Sequence, residues 1–158
     1  MKIRIGYVAI ALSLDKVTSS SNVTFKRYSK LDDEERINKL KVVTLSNIKD
    51  LEKILRFNIE KNIHFYRLTS ALIPLGTHPD VMNWNYRELF KIELKEIGKI
   101  VKENNMRIDL HADQFNVINS GNNGVVENTK RNLVHLAEIM EDIGLEEGKI
   151  IIHGGSSQ

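Results

Sequence analysis

The sequence predicts a parallel α/β fold: the first half of a (β/α)8 TIM barrel, reduced to four strands and three helices. Three observations predict it. Apolar, β-branched runs alternate with longer stretches of helical periodicity, giving the order β-α-β-α-β-α-β, which implies parallel strands with right-handed crossovers. Most steps are about 40 residues long, so eight such units would need roughly 300 residues, within the usual range of that barrel. Two strand-like segments, RIDLHADQ (107–114) and KIIIHGG (149–155), each end on a histidine, His111 and His153, separated by 153 − 111 = 42 residues. The same elements also suit a small open doubly wound sheet. No GxGxxG or P-loop supports a nucleotide-binding version of it.

In chain order, IRIGYVAIAL (3–12) is a nearly continuous apolar run, as expected of a strand buried on both faces. Arg4 interrupts the run and no A-x-A site follows, so the segment is read as a strand rather than a signal peptide. A polar loop is expected over 13–30, containing TFKRYSK (24–30). Residues 31–61 space Ile37, Leu40, Ile48, Leu51 and Leu55 at helical intervals, and Asp32 with Glu35 resembles a capping box; this is one long helix or two joined by a kink. HFYRLTSALI (64–73) is the second strand. Pro74, Gly76 and Pro79 then make 74–84 a loop that carries His78.

Residues 86–104 form the next helix, with Phe90, Leu94, Ile97 and Val101 as its inner stripe. RIDLH is strand three, and QFNVINSGNNG is a loop. Residues 125–143 form a helix with Leu133, Leu136, Ala137, Met140 and Ile143 inward and Gly144 as its C-terminal glycine. KIIIH is strand four.

Composition sets bounds on function. At 158 residues, a single domain over 1–158 is expected, and no apolar run approaches the ~18 residues of a membrane span. The absence of cysteine excludes disulfides and thiolate chemistry and fits a reducing cytoplasm. A net charge of only +2 makes no bulk demand for nucleic acid, so any phosphate binding must come from a local patch.

In parallel α/β folds, ligands gather beyond the carboxyl ends of the strands. His78, His111 and His153 all map to that rim, and three converging imidazoles suit a divalent metal; carboxylate co-ligands would favour harder ions such as Mn. Each alone is read more simply as a packed or surface residue. Asp80 and Asp113 are the nearby carboxylates, Asp113 being more simply a loop residue, so the donor set looks incomplete. His64 is read as structural, and His135 as a partly exposed mid-helix residue.

Gln114-Phe115 directly follows the strand-three histidine turn. Phe115 either tucks under the rim beside a solvated Gln114, or the pair acts as a wedge that enters a duplex. Lys26 and Arg27, interleaved with Phe25 and Tyr28, either track a phosphate backbone or lie on a solvated loop. Arg67 near the end of strand two either reaches a phosphate or makes a salt bridge.

Several segments together resemble the UV damage endonuclease family: GY at 6–7, FKRYSKL (25–31), NIKDLEKILRFN (47–58), FYRLTSALIPLGTHPDV (65–81), HADQFNVINS (111–120) and IIHGG (151–155). The likeness runs in order over essentially the whole chain. Its most specific pieces are S-x-x-I/L-P-x-x-x-H-P, ending at Pro79, and His-x-x-Gln-aromatic, ending at Phe115. The resemblance implies a TIM barrel like those of apurinic endonuclease IV and sugar isomerases. It implies a rim cluster of divalent ions, commonly Mn, and incision of double-stranded DNA immediately 5′ to ultraviolet photoproducts, leaving a 3′-hydroxyl and a 5′-phosphate.

It further implies that His78, His111 and His153 are metal ligands, that Gln114 and Phe115 are the probing pair, and that Tyr7 lies near the site at the end of strand one. Two positions depart from the family: Phe115 stands where some members have Tyr, and Ala11 where others have a polar residue. The family's remaining Glu, Asp and His ligands belong to strands five to eight. The chain is therefore expected to be an N-terminal fragment, with weak metal binding, little incision of its own, and a tendency to self-associate through open sheet edges. The competing function is a metal-dependent sugar isomerase or epimerase on the same barrel.

Overall fold

The computed structural model describes residues 5–81, 84–145 and 148–152. Four parallel strands stand in sequence order: β1 (Gly6–Val8), β2 (Phe65–Thr69), β3 (Arg107–His111) and β4 (Lys149–Ile151). Helices α1 (Phe25–Tyr28), α2 (Asp33–Glu60), α3 (Tyr86–Leu89), α4 (Lys91–Glu103) and α5 (Asn123–Ile143) fill the connections. This is the expected α/β half-barrel.

The register assigns each side chain to a face. Tyr7 pairs with Tyr66, Tyr66 with Ile108, and Leu110 with Ile150. These residues, with Leu68, point toward the helices, where Tyr66, Leu68 and Leu110 lose all exposure. Leu40, Leu51, Ile54 and Leu55 of α2 join this core with Leu94, Ile97 and Val101 of α4 and Leu136, Ile139, Met140 and Ile143 of α5. A fully buried leucine of this kind contributes about 1.5–3 kcal/mol. The alternate positions, Gly6, Val8, Phe65, Arg67, Thr69, Arg107, Asp109, His111, Lys149 and Ile151, share the opposite face.

α2 is one unbroken helix. Asp32 accepts from the Glu35 amide at 2.8 Å while the Glu35 carboxylate accepts from the Asp32 amide at 3.3 Å, completing the predicted capping box. Arg36 then ties the start of α2 to the end of α1, donating to the carbonyls of Tyr28 (3.2 Å) and Ser29 (3.0 Å). Gly144 ends α5 in the left-handed conformation, φ 79°, as expected.

Several boundaries differ from the sequence expectation, each for a local reason. β1 stops at Val8 because Ala9, after its amide bonds to Arg67 O at 3.0 Å, turns to φ 54° and leads the chain out of the sheet. Ile10 and Leu12, expected inside a strand, are exposed. β2 stops at Thr69, whose hydroxyl accepts from the Ala71 amide at 3.1 Å and opens a 3-10 turn over Ser70–Leu72. The helix expected over 86–104 divides at Phe90, which is buried in a non-helical conformation (φ −118°, ψ 19°). TFKRY, expected as loop, contains α1.

Ala137 is exposed, and the inward positions around it belong to His135 and Ile139; a methyl side chain gives little penalty for facing water. His135 is thus a core residue and not a partly exposed one: desolvation is tolerated because the ring is neutral and hydrogen-bonded to Tyr86. His64 is structural, its carbonyl accepting from the Arg107 amide at 2.8 Å.

Candidate functional site

The carboxyl ends of β2 and β3 lead into two loops that meet over the amino-terminal half of α5. One buried side chain sets the position of the first. Asn47, mid-way along α2, donates to Ser21 O at 2.9 Å and Leu72 O at 3.0 Å, and accepts from the Ser21 amide at 2.9 Å. A helix-interior amide thereby anchors both the segment before α1 and the turn after β2. Trp84 adds an indole N–H bond to Pro74 O at 3.1 Å. The His135 ring presses on Gly76 so closely that a Cβ there would lie 2.4 Å from Cε1, which explains why the loop needs glycine at that point.

His78 sits at the tip of this loop. Its ring stacks on Phe25 of α1, with centroids 4.0 Å apart and planes 13° apart. Nδ1 accepts from the Asp80 amide at 3.3 Å and lies 4.0 Å from the Asp80 carboxylate. In the neutral ring the proton is then on Nε2. Metal ligation through Nε2 would move the proton to Nδ1 and give up the Asp80 amide bond, with the Asp80 carboxylate 4.0 Å away. Lys26 and Arg27 follow Phe25 on the four-residue α1 and are exposed.

The second loop is built to display Gln114 and Phe115. Asp113 accepts from the Phe115 amide at 2.8 Å through its carboxylate and from the Asn116 amide at 3.1 Å through its carbonyl, forming a tight turn. Asn116, 2% exposed, locks the turn from beneath: its amide nitrogen donates to Asp113 O at 3.2 Å and its amide oxygen accepts from Asn132 of α5 at 2.9 Å. The next residue, Val117, donates to the hydroxyl of buried Thr129, also on α5, at 3.0 Å. The outcome is a Phe115 that is 77% exposed on an ordered turn. It does not tuck under the rim. Phe115 and His78 line one cleft of about 580 Å³, together with Asp113, Asn116, Arg131 and Asn132.

The structure separates other candidates from this cleft. The Tyr7 hydroxyl points to the helix layer and donates to buried Asn58 of α2 at 2.7 Å, while its ring packs edge-on against Tyr66. Arg67 lies two residues short of the end of β2, on the sheet face away from the helices. Its Nε is buried without a hydrogen-bond partner among the described residues. His111 is half-buried at the end of β3, in register with Thr69 and Ile151. His153 lies outside the described residues. Among the described residues no three His, Asp or Glu side chains come together as a metal cage.

Sequence reasoning missed Asn47, Asn116 and Asn132. An asparagine inside a helical stripe of Leu40, Ile48 and Leu51 was the available signal, since a polar group at a core position must be bonded to something.

Comparison with known proteins places the chain. The family model described as UV-endonuclease UvdE matches residues 3–158. A UV DNA damage endonuclease of Bacillus cereus (strain ATCC 10987 / NRS 248) is 34% identical over 158 residues, covering 99% of this chain and 50% of the relative. The enzyme of that name from Bacillus pumilus (strain SAFR-032) is 35% identical, with 99% and 49% covered. The crystal structure of SacUVDE superimposes with a TM-score of 0.86 at 35% identity, covering 99% of this chain and 51% of that one. The chain therefore spans about half the length of the relatives it matches.

Proposed function

Because the chain belongs to the UV-endonuclease UvdE family, we propose that it forms the lesion-probing half of a DNA repair endonuclease that nicks double-stranded DNA 5′ to ultraviolet photoproducts. The observation that supports this most is a phenylalanine held out in solvent by a braced turn, in the same cleft as His78. A large exposed apolar side chain on an ordered support marks an interaction surface. The family match favours this reading over a sugar isomerase or epimerase.

In this reading Phe115 enters the duplex and stacks on a base, worth about 1–3 kcal/mol. Gln114 beside it supplies an amide to the vacated pairing edge. A photodimer already pairs and stacks poorly, so its extrusion costs less than that of a sound pair, which costs a few kcal/mol. Lys26 and Arg27, exposed on α1, would contribute salt-dependent affinity for the DNA backbone. Tyr7 and Arg67 are left out of the DNA-contacting set, because the Tyr7 hydroxyl is committed to Asn58 in the helix layer and the Arg67 Nε is buried on the sheet face.

His78, His111 and His153 would hold a divalent ion, probed first with Mn. That ion supplies charge neutralisation at the phosphate and a water of lowered pKa. Phe25 fixes the His78 ring by stacking. Among the described residues no three His, Asp or Glu side chains form a metal cage, so incision by the chain alone is expected to be slight.

The test is anisotropy of this chain on ultraviolet-irradiated and untreated duplexes of one sequence, with incision of irradiated plasmid measured in parallel with Mn. Preference for irradiated DNA that falls away in Phe115→Ala is the expected result. Equal binding to both duplexes by the unmodified chain would refute the proposal.

A further inference from the structure

Asn128, Arg131, Asn132 and His135 stand at i, i+3, i+4 and i+7 along α5, one face of the helix, and all four line the cleft that also holds Phe115 and His78. Two of the four are committed within the protein. His135 bonds Tyr86 and packs on Gly76, and Asn132 holds the Asn116 side chain under the Phe115 turn. The other two form a pair: the Arg131 guanidinium donates to the Asn128 side-chain oxygen. That bond orients Arg131 without neutralising it.

The neighbouring charges are matched. Lys130, the preceding residue, pairs with Glu127 at 2.6 Å. Arg87 shares with Arg131 a second groove, of about 470 Å³, along the 76–79 loop, and is taken up by Glu138, Glu141 and Asp142 at 3.4, 2.7 and 2.7 Å. Asp113, the carboxylate in the cleft lining, accepts from the Phe115 amide at 2.8 Å. No ion pair among the described residues joins Arg131 to a carboxylate. It is exposed, and it is the single Arg or Lys among the described residues lining the cleft. Its support sets it apart from a solvated surface cation. Thr129 and Asn132, which fasten Val117 and Asn116, bracket it in sequence, so the guanidinium and the Phe115 turn are mounted on one stretch of helix.

We propose that Arg131, held by Asn128, is a phosphate-contacting residue that takes the DNA backbone beside the step Phe115 enters and so sets the register of the probing turn. The inference rests on the DNA reading of this cleft and adds to it a residue that positions rather than probes. An apolar ring cannot fix its own place along a duplex; contacts to phosphate do that, without reading sequence. A guanidinium suits the task, because its planar fork matches two phosphate oxygens and only one of its N–H groups is spent on Asn128. Sound and damaged duplexes carry the same phosphates. Arg131 therefore adds affinity for both, and discrimination stays with Phe115.

The experiment measures anisotropy of irradiated and untreated duplexes of one sequence over a salt series, with the unmodified chain, Arg131→Gln, Lys130→Gln and Phe115→Ala. Arg131→Gln should weaken binding to both duplexes alike, by roughly tenfold at about 0.1 M salt, and lower the slope of log affinity against log salt by about 0.9, the signature of one lost phosphate contact. The preference for irradiated DNA should stay as in the unmodified chain. Phe115→Ala should do the reverse, losing the preference and keeping the slope. Lys130→Gln removes the same unit of charge one residue away, from a side chain already paired with Glu127, and should change the slope far less. Both basic positions are exposed, so neither substitution disturbs the core. A slope unchanged in Arg131→Gln, a slope lowered equally by Lys130→Gln, or a preference that falls with Arg131→Gln would overturn the role of Arg131 while leaving the probing role of Phe115 standing. No preference for irradiated DNA in the unmodified chain would refute the DNA reading itself, and this inference with it.

Discussion

Lowering the pH should loosen the support under the His78 loop. His135 is buried on α5, its ring against Gly76, with Nδ1 2.7 Å from the Tyr86 hydroxyl. That hydroxyl also lies 3.3 Å from the Glu138 carboxylate, whose charge is shared with Arg87 at 3.4 Å. Burial pushes the His135 pKa down from 6.5 to about 4. The folded state thus resists a proton that the unfolded chain takes up readily. The resulting stability is fully present above pH 6.5 and is lost as pH falls toward 4. A depression of this size corresponds to about 3 kcal/mol at most, a large share of the 5–15 kcal/mol typical of a domain.

Urea unfolding at pH 7, 6, 5 and 4.5 should show this decline, whereas His135→Leu should show a much shallower one, because leucine takes up no proton in either state while Tyr86 can still donate to Glu138. Carboxylate titration is common to both proteins and cancels in the difference. If both chains lost stability in parallel across this range, the assigned role of His135 would be wrong.

Asn47→Ala removes a buried amide with bonds to two separate segments and leaves the partners at Ser21 and Leu72 unsatisfied; a loss of about 2–4 kcal/mol is expected in denaturant unfolding. Phe115→Ala, at a 77% exposed position, should leave thermal stability nearly unchanged while weakening binding to irradiated duplex by about 1–3 kcal/mol in a fluorescence titration. His78→Ala and His111→Ala should each reduce Mn binding measured by calorimetry, and a full heat of binding in both would remove the rim from consideration as a metal site. Gly76→Ala should cost about 1–3 kcal/mol, since the new methyl collides with the buried His135 ring.

The fold class was legible because parallel α/β chains announce themselves by alternation. Apolar runs at 65–69 and 107–111 and helical stripes between them placed β2, β3 and the major helices. The capping box at Asp32 and the glycine at 144 were legible because end chemistry is local. What escaped was decided at a distance. The apolar run through Leu12 gave no sign that Ala9 turns out of the sheet, and Thr69 gave no sign that its hydroxyl would end β2. Nearness to strand ends suggests Tyr7 and Arg67 as site residues, but the two-residue alternation of a strand decides which side each faces, and only register fixes its phase. The Gln114-Phe115 pair was legible as a candidate; that Phe115 stands out in solvent depended on Asn116 finding Asn132, sixteen residues away.

The bracing of that turn has a consequence for how discrimination would arise. A loop that had to order itself on meeting DNA would give up conformational freedom at every encounter, with sound and damaged duplex alike. Residues 113–117 are already fastened to α5 through Thr129 and Asn132. On the proposed reading the protein would then act as an unyielding template, and selectivity would pass to the substrate: the duplex that bends and parts most cheaply would be the one retained.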